Sequence, residues 1–210
     1  MQKPSNKNEV LVRLARKGPL RSRELAAQGI PRSYLGRLVA RGLLERVGRG
    51  LYRAPNARVT ELHTIAETMK RVPHGVICLL SALQMHELTT EVPHAVWLLI
   101  DTHARVPRPT ATKLEIVRAS GAALTQGVEE RSIEGVRVRL TTPSKTVADC
   151  FRYRRYVGLD VAISALREYL ARGRSSKRNK ENVFSIEALI AAGTADRISS
   201  VMRPYLEALA

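Results

Sequence analysis

From Met1 to Arg58 apolar side chains recur at helical spacing in three short runs and then alternate in two strand-length ones. Val10, Leu11 and Leu14 predict a helix over residues 7–17, stopped by Gly18-Pro19. Ser22 is a natural N-cap for a second helix over 23–28, with Leu25 and Ala26 inward and Gly29 at its C′ position. After a three-residue turn Pro31 opens a third helix over 32–41, whose apolar stripe is Leu35, Leu38 and Val39 and whose stop is Gly42. Strands at 44–47 and 51–53 flank Gly48-Arg49-Gly50, and Pro55-Asn56 ends the unit.

From residue 59 helical and alternating segments mix. A helix over 60–70 is halted by Val72-Pro73, the apolar run 76–80 leads into a helix over 81–88, and strands follow at 95–100 and 114–118. A hairpin has arms 130–133 and 136–141 about Glu134-Gly135. Thr142-Pro143 caps a helix to about residue 152; 159–171 is a second helix, 173–181 a basic polar loop, and 185–192 and 195–209 two last helices. The chain reads as α+β: an N-terminal winged helix-turn-helix over 1–58, then a mixed α/β domain over 59–210 that ends in helices.

Helix, helix, short turn, helix and two-stranded wing is the order of that motif, in which the third helix enters the major groove of DNA. With Leu35, Leu38 and Val39 turned inward, the opposite face presents Arg32, Ser33, Tyr34, Arg37 and Arg41: guanidinium forks, a hydroxyl and an aromatic ring suited to base edges. Arg49 sits between two glycines at the wing tip, where it can meet a phosphate or enter a narrow minor groove, and Arg46 and Arg53 flank it. Arg21, Ser22 and Arg23 at the start of the second helix complete the expected DNA-binding set.

Charge sharpens this picture through its location. The formal net charge is +16, divided as +11 over residues 1–58, 0 over 59–151, +7 over 152–180 and −2 over 181–210. A merely solubilising excess would be spread along the chain, so two basic segments around a neutral middle predict polyanionic partners. The second segment contains the cluster Arg172, Arg174, Lys177, Arg178 and Lys180.

Other chemistry is poorly served. Cys78 and Cys150 stand far apart in the chain without a CxxC, and are read as small core residues. His63, His74, His86, His94 and His103 follow no metal-ligand spacing, so no metal or cofactor is expected. Thr142-Pro143-Ser144-Lys145-Thr146 lacks the glycines of a phosphate loop. Asp101, Lys113 and Glu115 resemble a nuclease set only in reversed order, Lys-x-Glu for Glu-x-Lys. No apolar run approaches the ~20 residues that cross a bilayer and the start MQKPSNKNEV lacks a signal core, so a cytoplasmic protein without membrane contact is expected.

Several segments together resemble antitoxins of the AbiEi type, from type IV toxin-antitoxin (abortive-infection) systems. They are Gly29-Ile30-Pro31-Arg32-Ser33-Tyr34-Leu35 and Gly42-Leu43-Leu44-Glu45-Arg46-Val47-Gly48-Arg49-Gly50 in the N-terminal part. Farther on come Leu80-Ser81-Ala82-Leu83-Gln84-Met85-His86, Thr142-Pro143-Ser144-Lys145-Thr146-Val147-Ala148-Asp149 and Met202-Arg203-Pro204-Tyr205-Leu206. Many regulators share the wing; the Thr-Pro-Ser-Lys-Thr-Val-Ala-Asp segment with the terminal Arg-Pro-Tyr is more specific.

The resemblance implies a non-enzymatic protein with two roles. The N-terminal domain would bind double-stranded operator DNA at inverted repeats and repress its own operon. The C-terminal domain would counter a nucleotidyltransferase-type toxin, in a manner that needs no stable complex with it. The basic cluster from Arg172 to Lys180 is the first place to look for the antitoxicity surface. The alternative is a plain winged-helix regulator whose second domain senses a ligand or dimerises.

Overall fold

A computed structural model describes residues 7–27, 29–55, 62–107, 112–175 and 184–209. The chain divides into two compact units, Met1–Pro73 with Ser132–Val138, and His74–Arg131 with Arg139–Ala210.

In the first unit the elements are α1 (Lys7–Lys17), β1 (Leu20–Arg21), α2 (Ser22–Ala27), α3 (Arg32–Ala40), β2 (Glu45–Gly48), β3 (Leu51–Arg53) and α4 (His63–Arg71). Each helical stripe is too short to stand alone, and Leu11, Ala15, Leu25, Leu35, Leu38, Leu44 and Ala54 pool into one core. The stripe of α1 is rotated from the expected one: Leu11 and Ala15 are buried, whereas Val10 and Leu14 are exposed. The cause is a close backbone approach, in which Ala54 N–H donates to Ala15 O at 3.2 Å, a contact that favours a small side chain on that face. Ala26, expected inward, is exposed as well.

The sheet runs β1-β3-β2 and is antiparallel throughout, with Leu20 opposite Tyr52 and Arg46 also opposite Tyr52 across the other edge. A strand as short as β1 carries no readable alternation, so the sequence does not announce it; it exists because β3 offers it a free edge. The ladder shifts register between Arg46 and Gly48, a bulge that re-aims the wing tip. The expected start of α4 at residues 60 and 61 lies outside the described residues; from His63 onward it buries Ile65, Ala66 and Met69.

The remaining elements are β4 (Val76–Ile77), α5 (Leu79–Met85), β5 (Val96–Asp101), β6 (Leu114–Ala119), α6 (Ala122–Thr125), β7 (Val128–Ile133), β8 (Val136–Thr141), α7 (Pro143–Arg152), α8 (Arg154–Val157), α9 (Leu159–Ser175), α10 (Ile186–Ala195) and α11 (Ser199–Leu209), all in the second unit except the hairpin tip Ser132–Val138, which counts with the first. The mixed sheet is ordered β6-β5-β4-β8-β7, with β4 antiparallel to β5 and parallel to β8. The unbroken apolar run of β5 is buried through Ile100, as a strand covered on both faces must be. Helix α7 is buried from Pro143 through Phe151, its start capped by Thr142, whose side chain accepts from Lys145 N–H. Cys78 and Cys150 are free and buried.

Helix α9 continues past the expected end at residue 171 to Ser175. Gly173, read as a loop opener, is buried inside it, because a Cβ there would lie 2.5 Å from Phe184 O: the missing side chain serves packing and not chain reversal. Among the described residues no helix is long and apolar enough to cross a membrane.

Candidate nucleic-acid interface

The turn before α3 is set by Pro31 in extended conformation (φ −64°, ψ 148°), so that the helix starts at Arg32. Leu35 and Leu38 are buried, and Arg32, Ser33, Arg37 and Arg41 are exposed on the other side. Tyr34 is half-buried and packs on the core, while the Arg37 guanidinium stands over its ring at 5.3 Å. Tyr34 thus packs on the core and beneath the Arg37 guanidinium at once.

Helix α2 begins at Ser22 itself, whose N–H donates to Gly50 O at 2.9 Å. That bond joins α2 to the wing tip. Gly50 has φ +71°, and a Cβ on it would meet Ser22 Oγ at 2.8 Å, so both its conformation and its closeness to Ser22 require glycine.

The wing, α2 and the start of α3 surround a concavity of about 420 Å³ lined by Arg21, Ser22, Arg23, Arg32, Arg46 and Arg49 with Gly50 and Tyr52. Five arginines scattered along the sequence from Arg21 to Arg49 thereby share one surface. Arg21 also donates from Nη2 to Arg71 O at 3.1 Å, and partial burial, then the neighbouring Arg23 charge, lowers its pKa.

Arg53 differs from the other expected contacts. It forms an ion pair with Glu45, donating from Nε at 2.7 Å, and its Nη1 lies 2.7 Å from His63 Nε2. Its guanidinium is engaged inside the unit, which neither the strand pattern nor the charge count signals, because His63 stands on a separate helix.

The basic cluster of the second unit is only partly in view. Arg172 donates to Glu87 O at 2.6 Å and to Glu168 Oε1 at 3.0 Å, and Arg174 to Leu209 O at 2.8 Å. Both are on α9 and not in a loop. Lys177, Arg178 and Lys180 lie outside the described residues. Elsewhere, the parallel register of β5 and β6 sets Glu115 beside Trp97 and Asp101 beside Ala119. The two carboxylates of the nuclease reading are four strand positions apart, roughly 13 Å at about 3.3 Å per residue. Among the described residues no group of His, Cys, Asp or Glu is arranged to hold a metal.

One charged cluster of the second unit lies in its core. Lys145 Nζ is 2.6 Å from Asp149 Oδ1 and 2.5 Å from Asp196 Oδ1, with all three side chains at most 1% exposed. Burial first, and then the Asp196 carboxylate, pushes the Asp149 carboxyl up to about 8 against the opposing pull of Lys145. The cluster ties α7 to the chain between α10 and α11, where Arg152 also donates to Asp196 O at 2.8 Å.

Residues 9–55, the segment that builds the concavity and the exposed α3 face, match the model of a family described as "Transcriptional regulator, AbiEi antitoxin". The crystal structure of the RV2827C protein from Mycobacterium tuberculosis has a TM-score of 0.55 at 13% identity, with 98% of this chain and 82% of that chain covered. At that identity the likeness is one of fold. No curated protein matches. Over residues 9–55 the winged helix is thus similar to the AbiEi antitoxin family of transcriptional regulators.

Proposed function

We propose that the protein is a DNA-binding antitoxin that represses its own operon and counters a nucleotidyltransferase-type toxin without catalysing a reaction. The observation that carries the DNA half is the gathering of Arg21, Arg23, Arg32, Arg46 and Arg49 around one concavity, beside the exposed Ser33, Arg37 and Arg41 of α3. In this reading α3 reads base edges and the concavity positions the backbone. The test is fluorescence anisotropy with duplex DNA from upstream of the gene, against scrambled duplex at equal salt. Preference for the upstream inverted repeats supports operator binding, and equal affinity refutes it.

The antitoxic half rests on the family match and on the sequence resemblance of the second domain. We assign its protective surface to the basic segment after Arg172, with Lys177, Arg178 and Lys180 as the residues to change first. Arg172 is a poor choice for charge reversal, since it holds Glu87 and Glu168. Co-expression with the toxin encoded alongside tests this: reversal of the three lysine and arginine charges should abolish growth rescue, and full rescue would remove the segment from the mechanism. A plain regulator remains the second reading because the family match ends at residue 55; a chain that shifts operator DNA but never rescues growth would establish it.

A further inference from the structure

The electrostatics of the concavity reach beyond a backbone clamp. Of the acids that precede residue 59, Glu24 and Glu45 have described side chains, and each is matched by a cation outside the lining: Glu24 by Lys70 at 2.6 Å and Glu45 by Arg53. No carboxylate is among the lining residues, so five guanidinium groups face one volume without a counter-charge from that lining. At Arg21 burial first, and then the charge of Arg23, lower the pKa, with Glu24 opposing them, and like charges this close repel. A polyanion relieves this repulsion, and the fork geometry of arginine suits phosphate oxygens.

Size then separates kinds of polyanion. At about 420 Å³ the concavity falls among sites that enclose whole small molecules, roughly 300–1,000 Å³, and one phosphate group fills a small part of it. Ser22 supplies a hydroxyl, and Tyr52 an aromatic wall on which a nucleobase can stack. We propose that this concavity is a polyphosphate site at which a free nucleoside triphosphate and the DNA backbone compete, so that nucleotide releases the protein from DNA. The competition rests on the DNA-binding reading above; the nucleotide site itself does not.

The experiment uses the full chain in magnesium-free buffer, with ionic strength held constant by sodium sulfate so that general screening is equal in every arm. A fluorescently labelled ATP reports direct binding by anisotropy, and a labelled operator duplex reports displacement by ATP, by inorganic triphosphate or by sulfate alone. ATP at its own Kd should double the apparent Kd for DNA, and at ten times that concentration raise it about elevenfold, as simple competition requires. Arg32→Ala and Arg49→Ala should each weaken ATP binding at least about tenfold, the effect of losing one charge-assisted contact. Arg167→Ala, which removes an exposed charge on α9, should leave it unchanged.

Equal displacement by inorganic triphosphate supports a site that reads the phosphate chain, and stronger displacement by ATP one that also holds the base. DNA binding that ATP perturbs no more than sulfate overturns the proposal and leaves the proposed function intact. ATP bound without any DNA binding upholds the site and refutes the DNA reading. Binding of neither refutes both.

Discussion

Arg53 Nη1 meets His63 Nε2 at 2.7 Å, while Nδ1 of the same ring lies 2.6 Å from Glu134 Oε2. The imidazole of His63 therefore joins Arg53 of β3 and Glu134 to α4 through its two ring nitrogens. Glu67 Oε1 stands 3.3 Å from the same Nε2.

Because Arg53 is engaged within the unit, Arg53→Ala should cost stability first, about 0.5–1.5 kcal/mol as for a typical partly exposed hydrogen-bonded pair. Chemical denaturation reads this directly. Operator and random-sequence affinities should then fall together; an unchanged midpoint with abolished DNA binding would make Arg53 a direct contact. By the same logic a fragment ending at residue 73 should melt above one ending at residue 58, since the shorter piece lacks His63 and Lys70, the partners of Arg53 and Glu24.

The concavity and the α3 face should separate in salt titrations. About five phosphate contacts give a slope of log K against log[salt] near −4.5, at about −0.9 per contact. Arg21→Ala or Arg49→Ala should flatten the slope by about one contact and weaken all sequences alike. Arg37→Ala should instead lower the ratio of operator to random-sequence affinity, by a factor corresponding to about 1–3 kcal/mol for a lost base contact. Identical behaviour of Arg21→Ala and Arg37→Ala would refute α3 as the reader.

Gly50→Ala tests the wing geometry without touching charge. The positive φ costs an L-residue about 1–2 kcal/mol, and the new Cβ must push Ser22 Oγ from 2.8 Å. DNA affinity should drop while the net charge stays the same. Unaltered affinity would show that the joint between α2 and the wing does not shape the interface.

The buried cluster predicts a particular pH profile for the second unit. Asp149 carries its proton up to about pH 8 in the folded chain but only to about 4 when unfolded. Between those values the folded state binds more protons, so its contribution to stability falls as pH rises and levels off above about 8. Asp149→Asn should remove that decline in urea midpoints measured from pH 5 to 8. Lys145→Met removes the cation shared by the buried Asp149 and Asp196 carboxyl groups and should cost about 3–5 kcal/mol.

Local chemistry was legible along the chain wherever one or two residues decide the backbone. Pro31 opens α3, the wing turns at Arg49-Gly50, and Thr142-Pro143 starts α7, because proline, glycine and a capping hydroxyl act on their nearest neighbours. The α+β class followed from period changes, and the concentration of charge ahead of residue 59 pointed to a polyanion. The Leu35 and Leu38 stripe of α3 was readable because its spacing alone defines one face.

Which side chains share a surface was decided only by tertiary structure. Arg49 and Arg53 are both arginines of the same hairpin, yet one lines an uncompensated concavity and the other is paired with Glu45 and His63. The partner that engages Arg53 most distantly, His63, lies ten residues away on helix α4. The pairing of β1 with β3, the inward turn of Ala15 and the burial of Gly173 likewise depend on a distant partner: a strand edge, a backbone amide and a carbonyl. Sequence periodicity records how a segment meets an average interior; the choice of partner is made by contacts across many residues, whose geometry exists only once the chain has closed on itself.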